Sequence, residues 1–274
     1  MPFDVDAEVI ANRPLSAHYN VLTLAAPTIA ACTAPGQFVM VKTNNSHDPL
    51  LRRPFSVFEI LRTVAGSVTG LTIFSKRIGT ATRLLYDARR GQRVACLGPI
   101  GRPWPVIDAG SPLDACLVAG GVGLAAFATL AEVLVERGIR TTLFYGARTG
   151  AELFYLDFFR QRGVSLALTT EDGGTGERGL VTAPLERCLA GRRAGAVVYA
   201  CGPEGMMAAV TRIATRFQCT CHVSLERIMG CGLGGCYSCV VPVRGDDGRV
   251  HQVRSCLAGP VMTGHQIMWD GAQD

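Results

Sequence analysis

The sequence predicts three units in series: an antiparallel β-barrel over residues 1–110, a parallel-sheet α/β unit over 111–217, and a small metal-stapled segment over 218–274. Three observations carry that prediction. Short segments of alternating polarity fill the first hundred or so residues, strands alternate with helices after Ser111-Pro112, and four of the eleven cysteines crowd toward the C-terminus. A chain of 274 residues has material for more than one core.

In the first unit, FDVDAEVI, YNVLTLAAP, GQFVMVKT, FSVFEIL, GLTIFS and QRVACLGPIG alternate apolar and polar residues and are parted by Gly, Pro and Asn. A period of two turns one face of each segment to a core and the other to water, the mark of an antiparallel sheet or small barrel. In the second unit, 114–119 is a short apolar strand and 124–137 a helix, followed by strand TTLFYGA, a helix over 151–162, strand VSLALTTE, a helix over 182–191, strand AVVYACGP and a helix over 204–217. Such alternation implies a parallel, doubly wound sheet. The third unit, HVSLERIMGCGLGGCYSCVVPVRG followed by RVHQVRSCLAGPVM, is too small for much core of its own, so a metal centre would serve as its staple.

Composition excludes several classes. The formal charge of +5 comes from scattered Arg without a long basic tract, which argues against nucleic-acid binding. The N-terminus MPFDVDAEVI lacks the layout of a signal peptide. The uncharged stretch 115–131 borders on membrane-spanning length, but Gly120, Gly121 and Gly123 make it read as a buried strand, turn and helix, so no membrane span is expected. Eleven cysteines without a secretory signal indicate reduced thiols and a cytoplasmic protein.

The strongest motif is Cys231-x4-Cys236-x2-Cys239, with Cys256 sixteen intervening residues later. This is the plant-type [2Fe-2S] spacing, in which a tight loop supplies three thiolates and a returning strand the fourth. Gly232, Gly234 and Gly235 let the loop turn its N–H groups toward sulfur. Structural zinc, the rival use of four cysteines, usually takes paired C-x2-C units.

Gly121-x-Gly123-x-x-Ala126 follows a strand and precedes a helix, which suits a dinucleotide pyrophosphate. The acid usual after the next strand is missing, since that strand ends Tyr145-Gly146-Ala147-Arg148; an ordinary Rossmann dehydrogenase is disfavoured. Arg148 could meet a 2′-phosphate, stack on adenine or face solvent. Cys201-Gly202-Pro203 makes a sharp exit from a later strand, where ligands collect in open α/β sheets. In the first unit Arg53-Pro54-Phe55-Ser56 sets a cation, a ring and a hydroxyl along a strand, and Gly79-Thr80-Ala81-Thr82 opens a helix in a way that suits phosphate contact. Each alone also fits a plain turn or cap; their order along the chain carries the reading.

Together these elements resemble the ferredoxin-NADP reductase superfamily, and within it the electron-transfer subunits of heteromeric dihydroorotate dehydrogenases. The markers are PGQFV (35–39), RRPFSV (52–57), LGPIG (97–101), AGGVG (119–123), TEDGGTGERGLVT (170–182), YACGPEGMM (199–207) and the cysteine loop. The resemblance implies FAD at Arg53, Pro54, Phe55 and Ser56, at Phe74, Ser75 and Lys76, and at the turn Gly79 to Thr82, with Arg53 at the phosphates and Ser56 near the isoalloxazine. Ala81 departs from the family's G-x-G-T turn. The nicotinamide nucleotide would lie at Gly120, Gly121 and Gly123 and at Cys201, Gly202 and Pro203, with Ser56 and Cys201 nearest the reacting rings and NAD(H) favoured over NADP(H). The implied activity is electron transfer between NAD+ and an FMN-containing catalytic subunit through FAD and the cluster, in pyrimidine biosynthesis, within a hetero-oligomer of two copies of each chain. A reductase serving an oxygenase, a hydrogenase-like complex or another flavoprotein is the alternative, and an iron-sulfur redox sensor would leave two nucleotide sites unexplained.

Overall fold

The structure, a computed structural model, describes residues 1–43, 48–191 and 195–269. Its first unit holds β1 (Phe3–Pro14), β2 (Tyr19–Ala25), α1 (Pro27–Ala31), β3 (Phe38–Lys42), β4 (Arg53–Ser56), β5 (Glu59–Arg62), β6 (Val68–Lys76), α2 (Thr80–Tyr86) and β7 (Arg93–Ile100). The sheet order is β4-β3-β7-β1-β2-β6-β5, antiparallel throughout. Although β4 and β5 are the two edges, only Val57 and Phe58 join them, and three Cα steps cover at most about 11 Å. One end of β4 therefore lies near one end of β5, and the sheet curls into a half-barrel. Val57 N–H donates to Gln37 O near one edge (3.1 Å) and Phe58 N–H to Thr72 O near the other (2.9 Å).

Helix α2 is anchored at its C-terminal end by β1. The Asn12 amide donates to Leu85 O, Tyr86 O and Ala88 O at 2.8–3.0 Å, while Asn20 Nδ2 donates to Asn12 Oδ1 at 2.8 Å. Carbonyls that a helix end leaves unpaired are thus satisfied, and the opposite end of α2 is fixed facing the second unit.

That unit contains β8 (Asp114–Gly120), α3 (Ala128–Glu136), β9 (Thr141–Ala147), α4 (Leu156–Gln161), β10 (Ser165–Thr170), β11 (Glu177–Arg178), α5 (Thr182–Ala190), β12 (Ala196–Cys201), α6 (Glu204–Arg216) and β13 (Thr220–Ser224). The sheet order is β11-β10-β9-β8-β12-β13-β16, parallel except for the last strand, β16 (Val261–Thr263). Order reverses between β8 and β12, so a ligand crevice opens at their C-terminal ends, Gly120 and Cys201.

Three expectations need adjustment. The parallel sheet does not stop at residue 217, because β13 and β16 belong to it; only the intervening loop and hairpin stand apart. The helix expected over 124–137 is present as α3 over Ala128–Glu136, but its first turn is a separate 3-10 turn, Gly121–Ala126, broken from it at Phe127. The helix expected over 151–162 shrinks to α4, entered through Tyr155 in a left-handed conformation (φ 60°). The Tyr155 ring packs edge-on against Phe58 of the barrel at 4.6 Å, and Arg13 donates to its hydroxyl at 2.6 Å. Trp104 stacks on Phe127 (5.7 Å) and donates to Ala126 O (3.0 Å), closing the other side of the seam between units.

The remaining segment is the hairpin β14 (Val240–Arg244) and β15 (Val250–Arg254) followed by α7 (Ser255–Ala258). Val240 pairs with Arg254, so Cys239 and Cys256 flank the same end of the hairpin. Of the predicted third unit, residues 270–274 lie outside the described part.

Candidate functional site

Barrel, sheet ends and cysteine loop converge on a cavity of about 880 Å³. Its barrel wall is Arg53, Pro54, Phe55 and Ser56 from β4, Phe74, Ser75 and Lys76 from β6, and Gly79, Thr80, Ala81 and Thr82 at the start of α2. Its other walls are Val122, Ala125 and Cys201 from the sheet ends, the stretch Ser224 to Gly230, and Ser238. Arg53 Nη1 donates to Leu51 O (2.8 Å) and Arg52 O (3.1 Å), which orients a guanidinium whose five donors leave capacity for an anion. Thr82 Oγ1 accepts from the amides of Ile78 (2.8 Å) and Gly79 (3.0 Å), closing the turn into α2. Ala81 stands within that helix with its methyl buried, in a backbone region open to any L-residue.

The walls carry unanswered polar atoms. Ser75 Oγ and Arg227 Nε are buried without a hydrogen-bond partner. Leaving such a group unpaired costs about 1–3 kcal/mol, which a polar ligand would recover. Apolar rings, a fixed guanidinium and orphan donors around one cavity fit a flavin nucleotide.

A second cavity of about 520 Å³ opens beyond Lys76, Val122 and Glu226, which line both. It sits at the β8–β12 crevice and is lined by Gly120, Gly121, Arg148, Gly202 and Pro203, with Tyr19, Glu152 and Glu171 among its other walls. The Tyr19 hydroxyl is another buried orphan. Gly123 lines neither cavity: a Cβ there would lie 2.1 Å from Cys201 O. It permits the turn after β8 to press against β12, the close-packing role of a fingerprint glycine rather than ligand contact. Cys201 borders the larger cavity, not the smaller, and burial pushes its thiol far above the ordinary range. It therefore stays a neutral thiol in the wall, unsuited to nucleophilic attack.

Arg148 rims the smaller cavity 3.8 Å from Glu152, and Glu171 follows the adjacent strand β10 into the same space. The acid missing after β9 is thus present after β10. Glu226, which no motif singled out, is pushed upward in pKa by burial where the two cavities meet.

At the cysteine loop, the amides of Leu233 and Gly235 point at Cys231 Sγ (3.3 Å each) and the Cys231 amide at Cys236 Sγ (3.4 Å). Gly232 and Gly234 take φ values of +71° and +81°, and a Cβ at either would lie 2.6 Å from Met40 or 2.5 Å from Leu257. Among the described residues no three His, Cys, Asp or Glu side chains gather as one metal ion requires. The thiols form two pairs instead: Cys231 and Cys236 toward the surface, Cys239 and Cys256 buried. Hydrogen bonds, chiefly from Ser238, bring Cys236 down to about 6, while burial and Cys239 push Cys256 up to about 12. Two pairs with backbone N–H groups aimed at sulfur fit a binuclear cluster, with two thiolates for each iron, better than a single zinc.

Comparison with known proteins agrees with this geometry. Residues 226–268 match the iron-sulfur cluster binding domain of dihydroorotate dehydrogenase B, and 117–212 match the oxidoreductase NAD-binding domain. The dihydroorotate dehydrogenase B (NAD(+)) electron transfer subunit of Desulforamulus reducens is 32% identical over 97% of this chain and 98% of that protein. Its counterpart from Geobacillus kaustophilus is 36% identical over 95% and 96%. The chain belongs to the family of dihydroorotate dehydrogenase B electron-transfer subunits.

Among solved structures, an NADH-dependent reduced ferredoxin-NADP oxidoreductase superposes with a TM-score of 0.83 at 27% identity, covering 97% of this chain and 91% of that one. The ferredoxin reductase of carbazole 1,9a-dioxygenase, at 21% identity and a TM-score of 0.66 over 80% of this chain and 67% of that one, shares the fold. Like the family, this chain has an FAD-type reductase fold, a nicotinamide-binding sheet and a cluster segment. Among the described residues no helix is long and apolar enough to cross a membrane.

Proposed function

We propose that this chain carries electrons between NAD(H) and an FMN-containing partner that oxidises dihydroorotate, as the cytoplasmic electron-transfer half of a hetero-oligomer in pyrimidine biosynthesis. The observation that carries the reading is the order of the three sites. The smaller cavity meets the larger at Lys76, Val122 and Glu226, and the larger meets the cysteine loop at Met229, Gly230 and Ser238.

A flavin in the larger cavity would supply the conversion between hydride transfer with nicotinamide and one-electron transfer with an iron-sulfur centre. Arg53 would meet its phosphates, Phe74 and Val122 would exclude water beside it, and Ser56 and Lys76 would orient its polar groups. In the smaller cavity Glu171 accepts from the adenosine ribose, while the ion pair with Glu152 draws Arg148 away from a 2′-phosphate; both favour NAD(H), the nucleotide in the relatives' names. Exposed Leu233 and Tyr237, on the loop that bears Cys236, give the partner an apolar contact beside the cysteines. The eleven free cysteines suit a reducing cytoplasm.

The likeness to an NADH-dependent reduced ferredoxin-NADP oxidoreductase favours one other reading, a reductase that exchanges electrons with ferredoxin. Co-purification from the native cell separates the two readings. The isolated chain should contain FAD, iron and inorganic sulfide, reduce artificial acceptors with NADH and leave dihydroorotate untouched until the FMN-containing partner is added. Zinc without sulfide in anaerobically prepared protein, or dihydroorotate turnover by the chain alone, would overturn the proposal.

A further inference from the structure

Between the last two loop cysteines the chain makes an unusual turn. Tyr237 adopts a left-handed conformation, φ 59°, uncommon for an aromatic residue and costly by about 1–3 kcal/mol. Arg254 holds it there: the guanidinium lies 4.7 Å from the Tyr237 ring centroid and donates to Gly234 O at 2.6 Å. The turn brings the Ser238 hydroxyl back to 3.1 Å from Cys236 Sγ. The same oxygen accepts from the Gly230 amide at 2.9 Å. Any side chain at Gly230 would disturb both, since a Cβ would lie 3.1 Å from Cys236 Sγ and 3.3 Å from Ser238 Oγ. Ser238 and Gly230 also line the larger cavity.

We propose that Ser238 is a positioning residue that raises the reduction potential of the cluster and so sets the direction in which electrons cross between the cysteine loop and the flavin cavity. The inference rests on the cluster assignment above and deepens it. A ligating Cys236 is a thiolate without a proton, so the hydroxyl must be the donor, and the Gly230 amide fixes its oxygen from the other side. One added electron makes the ligand sulfur more negative; no bond breaks, no proton moves, and Ser238 keeps its hydrogen while the O–H···S bond strengthens. Hydrogen bonds to cluster sulfurs are a general lever on potential. This one is made by a residue that also lines the larger cavity.

The test compares Ser238→Ala, Ser238→Gly and Ser238→Thr in the full chain with bound cofactors. Iron, sulfide and flavin are quantified first, and an EPR-monitored redox titration follows. The Ala and Gly variants should keep their cluster but have a lower midpoint potential. The reduced-to-oxidised ratio at fixed poise should fall roughly tenfold, about 59 mV for a one-electron couple. Thr, which keeps the hydroxyl, should restore most of the shift, and the flavin potential should stay in place. Full clusters with an unchanged potential in the Ala and Gly variants overturn the proposal while leaving the cluster assignment intact. Cluster loss from both, with retention by Thr, also overturns it, because the hydroxyl would then serve assembly and not tuning. Wild-type protein without iron and sulfide removes the cluster assignment and this inference together.

Discussion

The two cavities are built in opposite ways. The larger is composite, with walls from the barrel, the ends of the parallel sheet and the cysteine segment, whereas the smaller is cut mostly into the sheet ends and borrows little more than Tyr19 and Lys76 from the barrel. A composite site depends on how the units are seated, here through Tyr155 against Phe58 and Trp104 against Phe127. A site at strand ends depends on backbone approach, as at Gly123 beside Cys201. The composite arrangement is what lets one ligand touch both a nicotinamide site and a metal loop. Damage to the two cavities should accordingly be separable.

The largest separation is expected from Cys239→Ser, a buried loop thiol outside both cavities. NAD-linked turnover with the partner should disappear while NADH still bleaches the flavin in stopped-flow absorbance; undiminished coupled turnover without an assembled cluster would break the proposed order of sites. Next comes Arg53→Ala, which removes a charge-assisted phosphate contact worth about 1.5–3 kcal/mol, so FAD affinity should drop roughly tenfold to over a hundredfold. NAD+ affinity, followed by calorimetry, should hardly move. Glu171→Arg acts on the other cavity: it trades a ribose acceptor for a phosphate partner and should shift the NADH-to-NADPH preference by roughly tenfold or more, with FAD retention unchanged. Direct titration with 2′,5′-ADP and ADP reads this without turnover, and equal affinities in the wild type would remove Glu171 from the ribose.

The same contrast explains what could be read from residue order. Cysteine spacing, β8 with its glycines and the Arg53–Ser56 strand are local patterns, and the structure sets Gly120 and Gly121 on the smaller cavity and Arg53 to Ser56 on the larger. The stretch Glu226 to Gly230 had no local signature, because its place on the cavity wall depends on β13 joining the parallel sheet and the chain then crossing to the barrel. Gly123 read as a phosphate contact for a related reason: a glycine that admits a ligand and one that admits a neighbouring strand look alike in sequence. The acid after β10 was hidden because strand order had to be known before Glu171 could be set beside Arg148. Tyr155 broke an expected helix because its ring is claimed by the barrel, a tertiary contact that overrides local propensity.

The smallest effect concerns the wall common to both cavities. Glu226 opens onto both spaces; part of its surface stays exposed to solvent, but the protein around its carboxyl desolvates it and raises its pKa. A carboxyl with a folded pKa above its unfolded value favours the native state while protonated, and that advantage is lost as pH rises through the folded value. At neutral pH the charged form is therefore a cost that Glu226→Gln removes at nearly constant shape. The variant should melt higher than wild type at about pH 8, and the gap should close near pH 4, below the ordinary Glu value of about 4.3. Filling either cavity should widen the gap at neutral pH, since each ligand withdraws more water from the same carboxyl. Thermal melts with FAD alone, with NAD+ alone and with both would read this. A gap that ignores pH would mean that Gln acts through packing, and a response to only one ligand would assign Glu226 to one cavity rather than to their junction.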